Sequence, residues 1–388
     1  MDTEDPDKTR KGGDRVSQAM NDIKKLGFGL MRLPQKDGKI DIVQVKQMVD
    51  RFLAEGFTYF DTAWAYAGSE DAIRQALVER YPRDRFLLAT KNAAWIDCKC
   101  REDAIKQFDI SLRQTGAGYF DFYLLHNLGE SRTHFFDDFD LWNWIQEKKR
   151  QGLIRHAGFS FHSTPEELDA LLTAHPEMEF VQLQINYADW DNPAIQSRRC
   201  YEVARKHGKP VIVMEPVKGG TLADVPLEAE KLMEAHAPGM TPASWAVRFA
   251  ASREGVIMVL SGMSDYSQLL DNTAYMQDFV PLTEEEEGIV ARAAEIIQSA
   301  TAIACTSCQY CVEGCPKQIP IPKYFSLYNQ YSLFGEKSNS RGYYQNYGGR
   351  YGKAGDCIGC RRCEAICPQH LPIVQHMKEI AEVFEPAK

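Results

Sequence analysis

The stretch RFLLATK, residues 85–91, is separated from the apolar run YFDFYLL, residues 119–125, by the helical pattern REDAIKQFDISLRQTG, residues 101–116. Short runs rich in Leu, Val, Ile and Phe are typical of strands buried on both faces, and parallel strands need a helix between them. The alternation extends from residue 23 to about residue 280 and contains eight apolar runs: KKLGFGL, FTYFDT, RFLLATK, YFDFYLL, IRHAGFS, EFVQLQIN, KPVIVMEP and GVIMVLSG. Eight strand–helix units in about 250 residues predict an α/β fold, a (β/α)8 TIM barrel. A doubly wound sheet is the alternative, but the nucleotide-binding G-x-G-x-x-G turn is missing.

Two copies of one cysteine spacing, C-x2-C-x2-C-x3-C-P, contain eight of the eleven cysteines and lie near the end of the chain. This is the ligand spacing of two-cluster [4Fe–4S] ferredoxins, in which the fourth cysteine of each run usually reaches the other cluster. The sequence therefore predicts a small α+β or irregular dicluster ferredoxin-like domain. Its ligands would be Cys305, Cys308, Cys311 and Cys367 for cluster one, and Cys357, Cys360, Cys363 and Cys315 for cluster two.

Zinc sites and disulfides are the alternative uses of these cysteines. Zinc ligands normally come as two separated C-x2-C pairs, and disulfides require an oxidising compartment. The first 25 residues contain no apolar segment typical of a signal peptide, and no apolar run is long enough to cross a membrane. We therefore expect a cytoplasmic protein with iron–sulfur clusters. The net charge of −9 argues against a nucleic-acid partner.

Composition divides the chain into four segments. Residues 1–22 are polar and predict a mobile tail, residues 23–281 form the barrel, residues 282–300 a connecting helix, and residues 301–388 the cluster domain. Between the cysteine runs, residues 323–355 are rich in Tyr, Gly and Asn. Composition leaves two alternatives open there, an ordered connector that packs on another element or a solvated loop.

Four polar residues at or after the ends of strands suggest a catalytic site: Asp61, Tyr66, Lys91 and His126. Active sites of (β/α)8 barrels lie at the C-terminal ends of the strands. A single charge at a strand end is often only a cap, but these four types together suit the reduction of a carbonyl group. Tyr66 would donate the proton with its pKa lowered by Lys91, Asp61 would hold Lys91, and His126 would polarise the substrate oxygen.

Several motifs in this order resemble the aldo/keto reductase family. They are GFG (27–29), FDTAWAY (60–66), GSE (68–70), LATK (88–91), FYLLH (122–126), GFS (158–160), QLQIN (182–186), EP…GG (215–220) and SGMS…QLLDN (261–272). The resemblance covers about residues 23–280, and the appended clusters resemble a ferredoxin-bearing branch of the family. It implies that Asp61, Tyr66, Lys91 and His126 are a catalytic tetrad acting on a small carbonyl or alcohol, with Tyr66 as general acid and base.

The resemblance also implies a nicotinamide cofactor, NAD(H) or NADP(H). The positions that match its contacts are Gly29, Ser160, Gln182, Met214, Gly219, Gly262, Ser264, Gln268, Asp271 and Asn272. The pattern departs from the family where Phe161 replaces the Asn of a Ser-Asn pair and Met214 replaces a stacking Tyr. Gly262 and Gln268 replace the cations that commonly grip the 2′-phosphate of NADP, so a strong preference for NADP is not expected.

A flavin, FMN, in place of the nicotinamide is the alternative cofactor. Clusters pass one electron at a time, carbonyl reduction needs a pair, and a flavin converts between the two. A redox protein partner would then exchange electrons with the clusters. Two further hypotheses remain: an electron-transfer or adaptor protein with a non-catalytic barrel, and clusters that only stabilise their own domain.

Overall fold

Eight parallel strands close into a barrel in the computed structural model, which describes residues 16–18, 20, 22–129, 132–192, 195–334 and 340–385. The strands are β1 Leu26–Gly29, β2 Gln35–Lys36, β3 Lys39–Ile40, β4 Tyr59–Asp61, β5 Leu87–Asn92, β6 Phe120–Leu128, β7 Ile154–Phe161, β8 Phe180–Gln184, β9 Val211–Met214 and β10 Val256–Ser261. The pair β2 and β3 forms a hairpin, and the others follow the circular order β1, β10, β9, β8, β7, β6, β5, β4. Each of the eight apolar runs contributes one barrel strand, so the predicted barrel is confirmed.

The helices begin at local capping signals. Thr164 accepts a hydrogen bond from the backbone of Glu167 ahead of Pro165, and Thr283 forms a reciprocal capping box with Glu286. The helices are α1 Ile42–Ala54, α2 Ser69–Ile73, α3 Arg101–Thr115, α4 Thr133–Asp138, α5 Leu141–Arg150, α6 Pro165–Ala174, α7 Ser197–Lys206, α8 Leu227–His236, α9 Pro242–Ala251, α10 Tyr266–Met276, α11 Glu284–Ala300, α12 Tyr310–Glu313, α13 Ile321–Phe334, α14 Ser340–Gly348, α15 Arg362–Ala365 and α16 Ile373–Phe384. None of the described helices is long and apolar enough to cross a membrane.

The inside of the barrel is filled by side chains rather than open. Tyr59, Phe122, Phe180 and other inward residues of the strands form one apolar cluster. Val16 and Met20 belong to the same cluster and are buried. This part of the N-terminal segment therefore packs against the barrel, in contrast to the mobile tail expected for residues 1–22; residues 1–15, 19 and 21 lie outside the described chain.

The cluster domain has its own apolar core and, in its described residues, helices and loops without strands. Of the α+β and irregular forms expected, the irregular one is observed. Tyr324 on α13 and Tyr344 on α14 are buried in this core, where the Tyr344 ring stacks on Phe384 of α16 with centroids 5.0 Å apart. The described part of the segment between the cysteine runs is thus an ordered connector. It packs on its own domain rather than on the barrel.

The cluster domain docks on the barrel face where the strands end. Arg32, after β1, donates to the Thr306 carbonyl at 3.1 Å, and Gln184, at the end of β8, exchanges amide hydrogen bonds of 2.9 and 3.3 Å with Gln369. Arg132, after β6, donates at 3.4 Å to a backbone carbonyl beside Cys367. These contacts place the cysteine loops over the face that carries active sites in this type of barrel.

Gly219 of the barrel lies directly against the backbone of Thr306 in the cluster domain, and its replacement gives a test of the docking. A Cβ built on Gly219 would lie 2.0 Å from the Thr306 carbonyl oxygen, and its φ of +64° strains any other residue. Gly220, with φ +102°, would have nothing within 4 Å of its Cβ and is the matched control. We expect Gly219→Ala to cost about 1–3 kcal/mol more than Gly220→Ala through overpacking.

The measurement is the midpoint of thermal unfolding together with the rate at which a chelator removes iron. Gly219→Ala should lower the midpoint and speed iron loss relative to Gly220→Ala. Equal behaviour of the two variants would contradict the observed docking.

Candidate active site

Asp61 and Lys91 form a fully buried ion pair at the ends of β4 and β5. The Lys91 ammonium also donates to the Thr62 carbonyl at 2.7 Å, and Gln182 donates to the second carboxylate oxygen of Asp61 at 3.3 Å. Burial raises the pKa of Asp61 and lowers that of Lys91, while the mutual attraction opposes both shifts. The pair therefore depends on its partners to stay charged and oriented.

Tyr66 and His126 lie against this pair. The Lys91 ammonium is 5.0 Å from the centroid of the Tyr66 ring, and the Tyr66 and His126 rings meet edge to face with centroids 5.8 Å apart. The Trp95 indole donates to the His126 carbonyl at 3.0 Å and fixes the backbone at this strand end. All four residues predicted as a tetrad are thus in one place.

The pKa of Tyr66 lies above its ordinary value, chiefly because burial penalises the phenolate and because the negative charge of Asp61 is close. The expected lowering by Lys91 is therefore wrong in its net direction: the charge of Lys91 is already paired with Asp61. The cation that lowers the Tyr66 pKa is Arg32. A raised pKa keeps the hydroxyl protonated, which suits a proton donor.

His126 is neutral in this site. Burial lowers its pKa well below the ordinary value, and the positive charge of Lys91 lowers it further. His162, on the same cavity, has a pKa lowered to about 3 by burial and by Arg132. A neutral imidazole can donate a hydrogen bond to a substrate oxygen without adding a positive charge.

The tetrad opens on a cavity between barrel and cluster domain, with about 700 Å³ not filled by protein atoms, part of it open to solvent. Three of the four tetrad residues line this cavity: Asp61, Tyr66 and His126. The cluster domain contributes Thr306, Cys308, Tyr310, Pro368 and Gln369. One wall of the candidate active site is therefore made by a predicted cluster ligand and its neighbours.

Four of the predicted cofactor contacts line this cavity: Gly29, Gln182, Met214 and Gly262. Gly29 and Gly262 are neighbours, because a Cβ on Gly262 would lie 3.9 Å from the Gly29 carbonyl oxygen. At that point the wall of the cavity is formed by backbone atoms, because neither glycine has a side chain. The chain thus fits a flat ring such as nicotinamide beside Tyr66, although Gln182 is already engaged with Asp61.

The other predicted cofactor contacts do not line the cavity, and most are engaged by the protein itself. The buried Ser160 hydroxyl accepts from the Asn127 backbone at 2.7 Å, and Gly219 faces Thr306. Gln268 accepts from the Ser264 backbone at 2.8 Å, and Asp271 accepts from Thr241 at 2.7 Å. Asn272 is buried and donates to Ser261 at 2.6 Å. The residues on α10 and its preceding loop are brought together but are held by internal hydrogen bonds.

The cysteines gather around two small cavities in the crossed arrangement that the spacing predicts. Cys305, Cys308, Cys311 and Cys367 line one, and Cys315, Cys357, Cys360 and Cys363 line the other. None of the eight forms a disulfide. Among the described residues, no three His, Cys, Asp or Glu side chains converge as ligands of a single metal ion. Thiols spread around a cavity suit a cube of iron and sulfide better than zinc, whose Zn–S bonds of about 2.3 Å need ligands in direct contact with the ion.

The residues that join the two domains at the site were not predicted from the sequence. Arg32 pairs with Glu215 at 3.3 Å and reaches Thr306; Tyr310 packs edge-on against Trp95 with ring centroids 6.0 Å apart. Arg132 lies over the Trp95 ring at 4.4 Å. Their place in the sequence was the only signal: Arg32 and Arg132 follow strand ends, and Tyr310 lies inside a cysteine run.

Comparison with known proteins agrees with this architecture. The model of the aldo/keto reductase family matches residues 25–295, and that of the 4Fe-4S dicluster domain matches residues 304–371. An aldo-keto reductase of Mycolicibacterium smegmatis is 26% identical over 229 residues, which are 59% of this chain and 76% of that protein. The chain belongs to the aldo/keto reductase family, and it is an oxidoreductase with a C-terminal dicluster domain of the 4Fe-4S ferredoxin type.

Solved structures share the barrel. An aldo-keto reductase of Bacillus halodurans, solved in its holo form, has a TM-score of 0.55 and 23% identity and covers 69% of this chain and 91% of its own. An aldo/keto reductase of Klebsiella pneumoniae, solved with NADP and acetate, has a TM-score of 0.55 and 24% identity, with 70% and 91% covered. At this identity the likeness shows the fold. The resemblance inferred from the motifs is confirmed at the level of family.

Proposed function

We propose that the protein interconverts a small carbonyl compound and its alcohol, with Tyr66 as general acid and base, and exchanges electrons with two [4Fe–4S] clusters. The observation that carries this proposal is the shared cavity: Tyr66 and His126 line it from the barrel, and Cys308 and Tyr310 line it from the cluster domain. A scaffold barrel would have no need of a buried Asp61–Lys91 pair beside a tyrosine, which argues against a non-catalytic adaptor.

In the direction of reduction, Tyr66 gives its hydroxyl proton to the carbonyl oxygen as the alcohol forms. Neutral His126 donates a hydrogen bond to the same oxygen and polarises the carbonyl. Lys91, held by Asp61 and Thr62, lies under the Tyr66 ring and orients it, and Arg32, the cation that lowers the Tyr66 pKa, stabilises the phenolate left behind. Oxidation of the alcohol uses the same groups in reverse.

A nicotinamide nucleotide is the cofactor we propose, on the basis of the family and of the NADP bound to the Klebsiella relative. Bound there, it supplies or accepts the hydride. Gly29, Gln182, Met214 and Gly262 would hold its ring end, and the α10 region its other end. Since Gly262 and Gln268 carry no charge, each missing phosphate contact forfeits about 1.5–3 kcal/mol, and NAD(H) should compete well with NADP(H). No comparison supports the flavin alternative.

For the clusters we propose the two crossed cysteine sets. Cluster one would lie against the active-site cavity through Cys308, and cluster two would lie near the surface, where Cys360 is exposed. Interconversion of NAD(P)⁺ and NAD(P)H moves two electrons and one proton, so one electron from each cluster and a proton from water would balance regeneration of the hydride donor. A redox protein partner at the exposed cluster stays a prediction.

The test uses anaerobically purified protein with its iron intact. We expect turnover of small aldehydes or ketones with NADH and with NADPH, and a preference for NADPH of no more than about tenfold, or 1.4 kcal/mol. Acid release should yield no flavin. Flavin in the supernatant, or failure of both nicotinamides across an aldehyde and ketone panel, would contradict the proposed cofactor.

A further inference from the structure

Among the residues that the structure describes, Arg132 is a buried cation without a carboxylate partner. Arg132 is only 7% exposed, yet in the part of the chain that the structure describes no Asp or Glu pairs with it. Its guanidinium donates to the Asn127 amide oxygen at 3.0 Å and to the Ile366 carbonyl at 3.4 Å, and it lies over the Trp95 ring at 4.4 Å. These neutral partners satisfy hydrogen bonds but leave the charge uncompensated.

The other barrel cations near the cluster domain are compensated. Arg32 pairs with Glu215 at 3.3 Å, and buried Lys218 pairs with Asp189. Burying a charge without a counter-charge costs several kcal/mol, and proteins almost always avoid it. The position of Arg132 therefore calls for an anion, and no carboxylate in the described part of the chain provides one.

The anion that fits is cluster one itself. Ile366, whose carbonyl Arg132 contacts, directly precedes Cys367, and Tyr310, whose ring is 6.0 Å from the guanidinium, lies between Cys308 and Cys311. Arg132 thus touches the loops of both cysteine runs that line the first cavity. A [4Fe–4S] cube with four thiolates is an anion in both redox states and gains one negative charge on reduction.

We propose that Arg132 is the counter-ion of cluster one and raises its reduction potential, an inference that rests on the cysteine set proposed above. A nearby cation stabilises the reduced cluster more than the oxidised one, because the reduced cluster is more negative. Burial strengthens the effect, since water screens charges at the surface but not here. Arg132 also packs on Trp95, which holds the His126 backbone, so the same residue joins the cluster to the catalytic site.

The test is an EPR-monitored redox titration of anaerobically prepared holoenzyme. Arg132→Met should lower one of the two midpoint potentials by about 59 mV or more and leave the other unchanged. For one electron, a shift of this size is a tenfold change in the equilibrium constant for reduction. Arg132→Lys, which keeps the charge, should stay close to the wild-type value. The matched control is Arg361→Met: Arg361 borders the second cavity, but its side chain is 78% exposed, so its removal should shift neither potential appreciably.

Cys360→Ser alters a ligand of cluster two, so the potential that persists in that variant identifies cluster one. Unchanged potentials in Arg132→Met and in a second neutral variant, Arg132→Gln, would overturn the proposal, as would an equal shift in Arg132→Lys. Loss of cluster one in both neutral variants but not in Arg132→Lys would support it. Iron analysis of the wild type separates the two proposals. An iron content below that of two clusters would refute the proposed cysteine sets. Two intact clusters whose potentials do not shift in the Arg132 variants would refute only the role of Arg132.

Discussion

Replacing Tyr66 with phenylalanine is expected to lower kcat by about 10²–10⁴-fold, the usual contribution of a positioned proton donor. The change removes one hydroxyl and keeps the ring that packs on His126 and covers Lys91. The fold and both clusters should therefore be retained. Steady-state rates with a carbonyl substrate, compared at equal iron content, measure the effect.

The control is Tyr310→Phe, which removes the other tyrosine hydroxyl at the cavity while keeping the ring against Trp95. It should lower kcat far less than Tyr66→Phe, because among the described residues no hydrogen bond joins the Tyr310 hydroxyl to a tetrad residue, although Tyr66 lies close enough to raise the Tyr310 pKa. If Tyr66→Phe kept more than about a tenth of the activity, it would fall short of the expected range and Tyr66 would not be the general acid.

Replacing Lys91 with methionine is expected to destabilise the protein by about 3–5 kcal/mol and to remove most of the activity. The carboxylate of Asp61 would be left buried with Gln182 as its remaining side-chain partner, and breaking a buried pair by removing one charge has a cost of that size. Urea unfolding followed by circular dichroism measures the stability.

The double variant Asp61→Asn with Lys91→Met separates stability from catalysis. Because it removes both charges, it should recover much of the lost stability. Activity should remain low, since the ammonium group that orients the Tyr66 ring is still missing. Recovery of activity together with stability would show that the ion pair serves only the fold.

The sequence was sufficient for the barrel and for the location of the tetrad. Eight apolar runs at regular spacing define eight strands, and a barrel necessarily brings the ends of β4, β5 and β6 together, so Asp61, Lys91 and His126 had to meet. The crossed cysteine sets followed from spacing in the same way. In each case a local pattern determines a long-range contact.

The docking of the cluster domain could not be predicted, because no periodicity encodes it. It depends on single contacts such as Arg32 to Thr306 and Gln184 to Gln369, made by residue types that occur on any surface. The raised pKa of Tyr66 was expected in the wrong direction because it comes chiefly from burial, which no motif encodes; the charge of Arg32 only opposes the rise. Two apolar residues, Val16 and Met20, were likewise too few to predict that part of the polar N-terminal segment packs against the barrel.

In our proposal the barrel and the clusters form one redox unit across a shared cavity. The most direct test is to reduce the clusters of the anaerobic holoenzyme with dithionite, remove the excess, and mix the protein with NAD⁺ and a carbonyl compound that it turns over. We expect the cluster absorbance to return to its oxidised form as alcohol appears, one molecule for the two electrons held. Those two electrons and a proton from water would convert NAD⁺ to NADH, and Tyr66→Phe should prevent formation of the alcohol. Clusters that stay reduced while turnover of the same compound with added NADH proceeds would contradict the proposed redox unit.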